Sequence, residues 1–375
     1  MKRVLFYFAI WATFLTRAQC TRSAPLYAIG DLGIVGDASV AGASLNNAGQ
    51  IAITLNHQTG TANETLANKI LLYSGGQLLE LETLGGIGNG ISDINDHGVM
   101  VGASDSPDGR YHAVVYTSGQ LQDWGDSGEL GSVASDINES GTVVGDIRNK
   151  QTSQAVIFNG PNDVTHLGTL GGTVSSVSAI NNLGQIVGIS LTGAPFVPGA
   201  TDTPAQEAFL YENGHLIGIG TLGGHTSNGY GINDLGQIVG DSSLANGEMH
   251  AFLWDNINGM RDLGTPGLHS LATHINNQGV IVGEVAVTPG NYRAAIFDEA
   301  TEYRLLQDLI PADSGWERLN SATDINDLGL IVGTGVFNGE NRAFLLTPTP
   351  EPSSLVLLFL AGCGVAPFSR IRRRE

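Results

Sequence analysis

The residues best suited to chemistry in this chain are oxygen donors placed just ahead of a glycine. They read Asp93-Ile94-Asn95-Asp96-His97-Gly98, Asp136-Ile137-Asn138-Glu139-Ser140-Gly141 and, less fully, Asp324-Ile325-Asn326-Asp327-Leu328-Gly329. Carboxylate and amide oxygens alternating before a Gly are what a calcium loop uses. A hard cation wants about six to eight oxygens, and a helix-loop-helix calcium site closes with a bidentate Glu at the twelfth position. Counted from the leading Asp, that position holds Ser104, Ile147 and Gly335, none of them a carboxylate. Copies of the phrase at Ile180, Ile232 and Ile275 lack the leading Asp altogether. An Asx turn, in which the Asn side chain bonds its own backbone, explains the same residues without metal and is the favoured reading. No metal ligand and no cofactor is assigned, and calcium is the one ion left to test.

Other reactive patterns are missing from the sequence. It has no Gly-x-Ser-x-Gly elbow, no His-Glu-x-x-His and no phosphate-cradling loop ahead of a helix. His57, His97, His225, His269 and His274 share no metal-ligand spacing and are expected at the surface or in turns. No catalytic residue is assigned, and the chain is expected not to be an enzyme.

The elements that position these residues follow from a repeat. Aligned on the central Asn of the phrase, copies fall at Asn46, Asn95, Asn138, Asn181, Asn233, Asn276 and Asn326. The spacing of about 43–52 residues is that of propeller blades. Each period carries four strand-like pieces. Piece a ends in Ile-Asn, and piece b reads like Gln185-Ile186-Val187-Gly188. Piece c is apolar throughout, as in Ala251-Phe252-Leu253-Trp254, and piece d ends in Leu-Gly, as in Asp262-Leu263-Gly264. An unbroken apolar strand must be covered on both faces, as it is between neighbouring blades. The chain opens with a lone d piece, Leu26 to Gly33, and its repeats end on a c piece, Arg342-Ala343-Phe344-Leu345-Leu346. Seven complete blades result only if the opening strand completes the last one. The predicted fold is therefore all-β, a seven-bladed β-propeller closed by its N-terminal strand. A β-solenoid of the same strands is the alternative.

Four domains or segments are expected: a signal peptide over residues 1–22, the propeller over 25–346, a Pro-rich linker over 347–354, and a hydrophobic segment with an Arg-rich tail over 355–375. Lys2-Arg3 ahead of an apolar run, then Ala18-Gln19-Cys20, fits a cleaved secretory signal; Thr16-Arg17-Ala18-Gln19 is a poor lipoprotein box. The formal net charge is −19, and most basic residues sit at the two ends, so the body carries about −25. That field disfavours nucleic acid, since phosphate binding runs on Lys and Arg. Cys20 and Cys363 are the only cysteines, so the body has no disulfide framework despite its expected export.

The end of the chain reads Pro350-Glu351-Pro352, a short apolar run, then Arg372-Arg373-Arg374. It resembles the PEP-CTERM sorting tail. That resemblance implies recognition by an exosortase-type membrane protease in a Gram-negative host, transient anchoring by a short transmembrane helix, and a host that makes extracellular polysaccharide. An anchor that stays attached is the alternative. The phrases His250-Ala251-Phe252-Leu253-Trp254 and Leu167-Gly168-Thr169-Leu170-Gly171-Gly172 resemble the bacterial extracellular HAF-repeat family. Gln154, Glu207, Arg293 and Arg342 replace the His elsewhere, which marks a strand-start position rather than a ligand. The implied role is an exported surface or secreted module, structural or binding, associated with extracellular polysaccharide or biofilm matrix. Its expected partners are the export machinery, the processing protease and polysaccharide. The alternative is a glycan-active enzyme with acids lining the channel. Binding is expected on the b–c and d–a face, whose loops vary in length. Phe196 and Trp316 there would either stack on sugars or, as favoured, pack over the blades.

Overall fold

The computed structural model describes residues 26–349 except 34–37, 58–66, 126–128, 194–204, 265–266 and 299–301. The expected signal peptide, Pro350, Glu351, Pro352, the hydrophobic segment, Arg372, Arg373 and Arg374, and both cysteines lie outside the described residues, as do Phe196 and Pro198. The transmembrane helix expected near the C-terminus falls in the same region. No helix among the described residues is long and apolar enough to cross a membrane.

The strands form seven antiparallel four-stranded blades in chain order. The first is built from Ala38–Leu45, Ile51–His57, Lys69–Ser74 and Gln77–Glu80. The seventh takes Trp316–Ile325, Ile331–Phe337 and Glu340–Pro348 from the end of the repeats, and Tyr27–Asp31 from their start. Tyr27 pairs with Pro348 and Asp31 with Phe344, so the opening strand closes the last blade as the repeat count requires. Thr273 of the sixth blade reaches Ala322 O of the seventh, and Thr323 of the seventh reaches Ala43 O of the first. The ring thus closes in space as well as in strand order, and the solenoid alternative is set aside.

Apolar c strands hold the blades face to face. Phe209 packs with Val144 and Ala155 of the preceding blade, while Leu210 beside it packs with Ile238 and Phe252 of the following one. Successive residues serve opposite neighbours, and for that reason the strand shows no polar alternation. Tyr116, Phe209, Phe252 and Phe344 are all fully buried, and each such side chain contributes about 2–3 kcal/mol.

A β-bulge in each innermost strand sets the inner surface. In blades 2 to 6 the register slips around one residue: Ser92, Ser135, Ser178, Tyr230 and Thr273; Thr323 occupies the same place in blade 7. A bulge re-aims side chains, so two consecutive residues can face one side. It also pushes a carbonyl at the partner strand, and there the Val-Gly phrase supplies its glycine. A Cβ on Gly188 would sit 2.0 Å from Ser176 O, and one on Gly283 would sit 2.1 Å from Leu271 O. Blade 1 slips earlier, between Val40 and Gly42, and has Ile53 where the others have Gly. Gly188→Ala should therefore cost about 3 kcal/mol. Gly42→Ala, whose Cβ meets nothing within 4 Å, should stay within about 1 kcal/mol; urea unfolding of both variants checks the contrast.

Candidate functional site

The channel has its narrow, ordered mouth at the a–b hairpins, where the seven Asn side chains meet. Each Asn is buried. In five copies its Oδ1 accepts the N–H groups two and four residues ahead, as Asn181 does from Leu183 and Gln185; Asn138 takes Thr142 N and the Ser140 hydroxyl. Asn46 Oδ1 takes Gln50 N. The glycine three residues on closes the turn at φ between 73° and 82° in all seven copies, a region open to Gly without strain. These are the expected Asx turns.

What the sequence does not announce is the use of the other amide atom. Asn46 Nδ2 donates to Asn95 O, Asn95 to Asn138 O, and so on through Asn181, Asn233 and Asn276 to Asn326, which donates back to Asn46 O. The seven bonds measure 2.9–3.2 Å and make a closed circle. A second circle runs in the same direction with the roles of side chain and backbone exchanged. The backbone N–H of the residue after each Asn donates to the side chain of its counterpart one blade on, from Asn47 to Asp96, Glu139, Asn182, Asp234, Asn277, Asp327 and back to Asn47. The acids that suggested calcium are thus turned toward backbone amides. Among the described residues no group of three or more His, Cys, Asp or Glu side chains is arranged to hold a metal ion.

Below the mouth, the residue two before each Asn lines the throat. Asp324, Ser44, Asp93 and Asp136 occupy four adjacent blades, with His274 on the other side of Asp324. Asp324 Oδ2 accepts Leu45 N at 2.8 Å and lies 3.0 Å from the Ser44 hydroxyl, which is 2.6 Å from Asp93 Oδ1. Asp136 accepts Ile137 N and, across the blade gap, Ile180 N at 2.6 Å. Asp93 and Asp136 line the throat side by side on neighbouring blades. Burial, followed by the Asp93 charge, pushes the Asp136 carboxyl well above the usual range. Burial raises Asp324 too, opposed by His274, whose Nε2 is 3.3 Å from Asp324 Oδ1. His274 is therefore a channel-wall residue, not the surface or turn residue expected. His97, His225 and His269 are exposed as expected; His57 ends a strand.

The strand-start position of the HAF-like phrase also has a partner. Lys69, His112, His250 and Arg342 face Glu80, Asp123, Asp262 and Asp31 across the two outer strands at 2.8–2.9 Å. His112 and His250 are buried, each holding its Asp through Nδ1. They tie the two outer strands of their blades together at the rim. A signal existed within the repeat: where Gln154 and Glu207 replace the cation, His166 and Gly218 replace the acid. Trp316 is buried against Phe337 and edge-on to Phe344, so it packs over its blade as favoured.

Comparison with known proteins places the fold. The family described as "Protein of unknown function (DUF3466)" matches residues 222–347, which cover the last three blades without the closing strand. No curated protein matches the sequence. Among solved structures, the β-propeller domain of the Trilobed protease from Pyrococcus furiosus is similar at 11% identity and a TM-score of 0.56, covering 83% of this chain and 96% of that one. That domain is described as having an open velcro topology, whereas here the first strand pairs with the last. An acylaminoacyl peptidase from Pyrococcus horikoshii is similar at 11% identity and a TM-score of 0.50, covering 86% of this chain. This chain spans only 54% of that peptidase. The class defined is the β-propeller, and at such identities the likeness concerns the fold alone.

Two outcomes follow. Asn326→Ala removes one cross-blade donor and the acceptor for Leu328 and Leu330 N–H; it should cost about 2–4 kcal/mol in chemical denaturation. The raised throat carboxyls bind protons more tightly folded than unfolded. Their stabilising effect is complete below the ordinary carboxylate range and is lost as the pH rises through their folded values. The thermal midpoint should fall as the pH rises above the ordinary carboxylate range. Asp93→Asn keeps an oxygen for Ser44 and offers Asp136 a permanent N–H, so it should raise the midpoint at the alkaline end and flatten part of the slope. An unchanged profile would show that the Asp93 charge does not raise Asp136.

Proposed function

We propose that the protein is an exported surface or secreted module with a structural and binding role, associated with extracellular polysaccharide, and that its C-terminal sorting tail is processed by an exosortase-type protease. The observation that carries the binding-scaffold reading is the commitment of the mouth and throat. Their amides and acids, the most reactive-looking groups of the repeat, are spent on bonds between blades. The opposite face, where the b–c and d–a connections emerge, is left to vary, and variable loops on a rigid frame are where binding usually resides. The signal-like start and the Pro-Glu-Pro tail motivate the export and processing part.

A glycan-active enzyme is the second reading, favoured by one observation: a carboxyl pair with a raised member is the material of acid-base catalysis. Against it stand the backbone and side-chain donors that already fill those oxygens.

Residues 26–349 contain every strand of the closed ring, and they allow a direct test. The purified propeller should be retained on at least one insoluble or soluble extracellular polysaccharide, equally with calcium and with chelator, and should release no sugar. Release of reducing ends would establish the enzyme reading. Calcium-dependent retention would make the Asx turns metal sites. Indifference to polysaccharide and to the cell surface alike would end the proposal. In a Gram-negative host with an exosortase-type protease, the full chain should leave the cytoplasm and lose its tail. Replacing Arg372, Arg373 and Arg374 by Gln should leave it unprocessed.

A further inference from the structure

We propose that the crevice where blades 1, 2 and 3 meet, on the face opposite the Asn circle, binds an uncharged pyranose unit of a polysaccharide. This rests on the binding reading above and gives it a place and a ligand class. The crevice has a volume of about 370 Å³, within the roughly 300–1,000 Å³ of small-ligand sites. It interrupts the repeat. Gly90 forms part of the floor, and its counterparts in blades 3 to 7 are Val133, Ser176, Asn228, Leu271 and Ser321. A Cβ at Gly90 would meet only Thr54, 3.6 Å away, and one at Gly42 nothing within 4 Å, so the floor is bare backbone beside open space. The displaced bulge of blade 1 is what leaves Gly42 there.

The walls carry the chemistry. Tyr111 is 42% exposed. Its hydroxyl sits 3.1 Å from where a Gly88 Cβ would be, an approach for which Gly88 leaves room. A partly exposed aromatic ring offers apolar area that suits the apolar face of a pyranose. Asp105 rigidifies the support: its N–H donates to Gly88 O at 2.7 Å and its Oδ2 accepts Gly88 N at 2.8 Å. Its other oxygen, Oδ1, is buried with no hydrogen-bond partner among the described residues. An unmet buried carboxylate oxygen is costly. Asn56, Asn68 and Ser92 line the crevice with side chains that have no hydrogen-bond partner among the described residues. Exposed Arg148 adds further donors. Planar amides, a hydroxyl and a guanidinium around one aromatic ring match a polyhydroxylated ring. The charge of −19 on the whole chain repels a polyanion and selects an uncharged one.

Affinity electrophoresis of residues 26–349 in gels containing hydroxyethyl cellulose, galactomannan or alginate tests the site. The wild type should be retarded in at least one of the two neutral gels and run unretarded in alginate. Tyr111→Ala should weaken that retardation about tenfold, a loss of about 1.4 kcal/mol, and Asn56→Ala with Asn68→Ala should do likewise. Tyr292→Ala, the same strand position in blade 6, should not. Thermal midpoints of all variants show that each has folded. Retardation unchanged by Tyr111→Ala and by the Asn pair would overturn the crevice while leaving polysaccharide binding in place. Retardation in alginate alone would overturn the ligand class. No retardation in any gel overturns the proposal, and the broader polysaccharide screen then decides whether the binding reading falls with it.

Discussion

Every other feature of this molecule depends on one interaction: an asparagine amide that serves its own turn with its oxygen and the next blade with its nitrogen. A buried amide with both ends engaged is stabilising, and one left half-engaged is costly. Repeated seven times, the arrangement leaves no blade indifferent to its neighbour. Because the seventh Asn donates to the first, the circle has no end that needs capping. The second circle, in which a backbone N–H of one blade meets a side chain of the next, runs in the same direction with donor and acceptor types exchanged. Together they bond every blade to both of its neighbours at the mouth.

Much of this was legible in the sequence. The period, the four strands per blade and the closure by residues 26–33 follow from counting pieces, because hydrophobic pattern and turn chemistry are local properties. The Asx turn was legible for the same reason. The Nδ2 of the same Asn was not, since its partner lies 43–52 residues away and nothing local marks it. Nor were the throat residues. Strict alternation puts adjacent strand residues on opposite faces, and only the bulge lets Ser92 and Asp93 line the channel together. The glycine of the Val-Gly phrase was the visible trace of that bulge. His274 was misplaced because its role comes from Asp324, one blade and 50 residues distant.

The distribution of chemistry explains why the calcium and catalytic patterns in the sequence were suggestive. Ring construction needs acids and amides at the axis, and those are also the residues of metal loops and of acid-base pairs. Here their donors come from backbone and neighbouring blades, and burial with the nearby Asp93 charge favours the neutral form of Asp136, which limits the charge that the throat must bear. The loop face is free of that duty, and the blade 1 irregularity opens a crevice there. Structural uniformity at one end and variation at the other is the division of labour expected of a binding scaffold.

The claim that the Asn circle makes the blades one unit is tested most directly by native-state hydrogen exchange read by mass spectrometry. The backbone amides that close the seven a–b turns, from Gly49 to Gly329, should open with one common free energy equal to that of global unfolding. Turns that exchange blade by blade, with the first and last blades opening well before the middle ones, would contradict it and show a stack of neighbours rather than a closed ring.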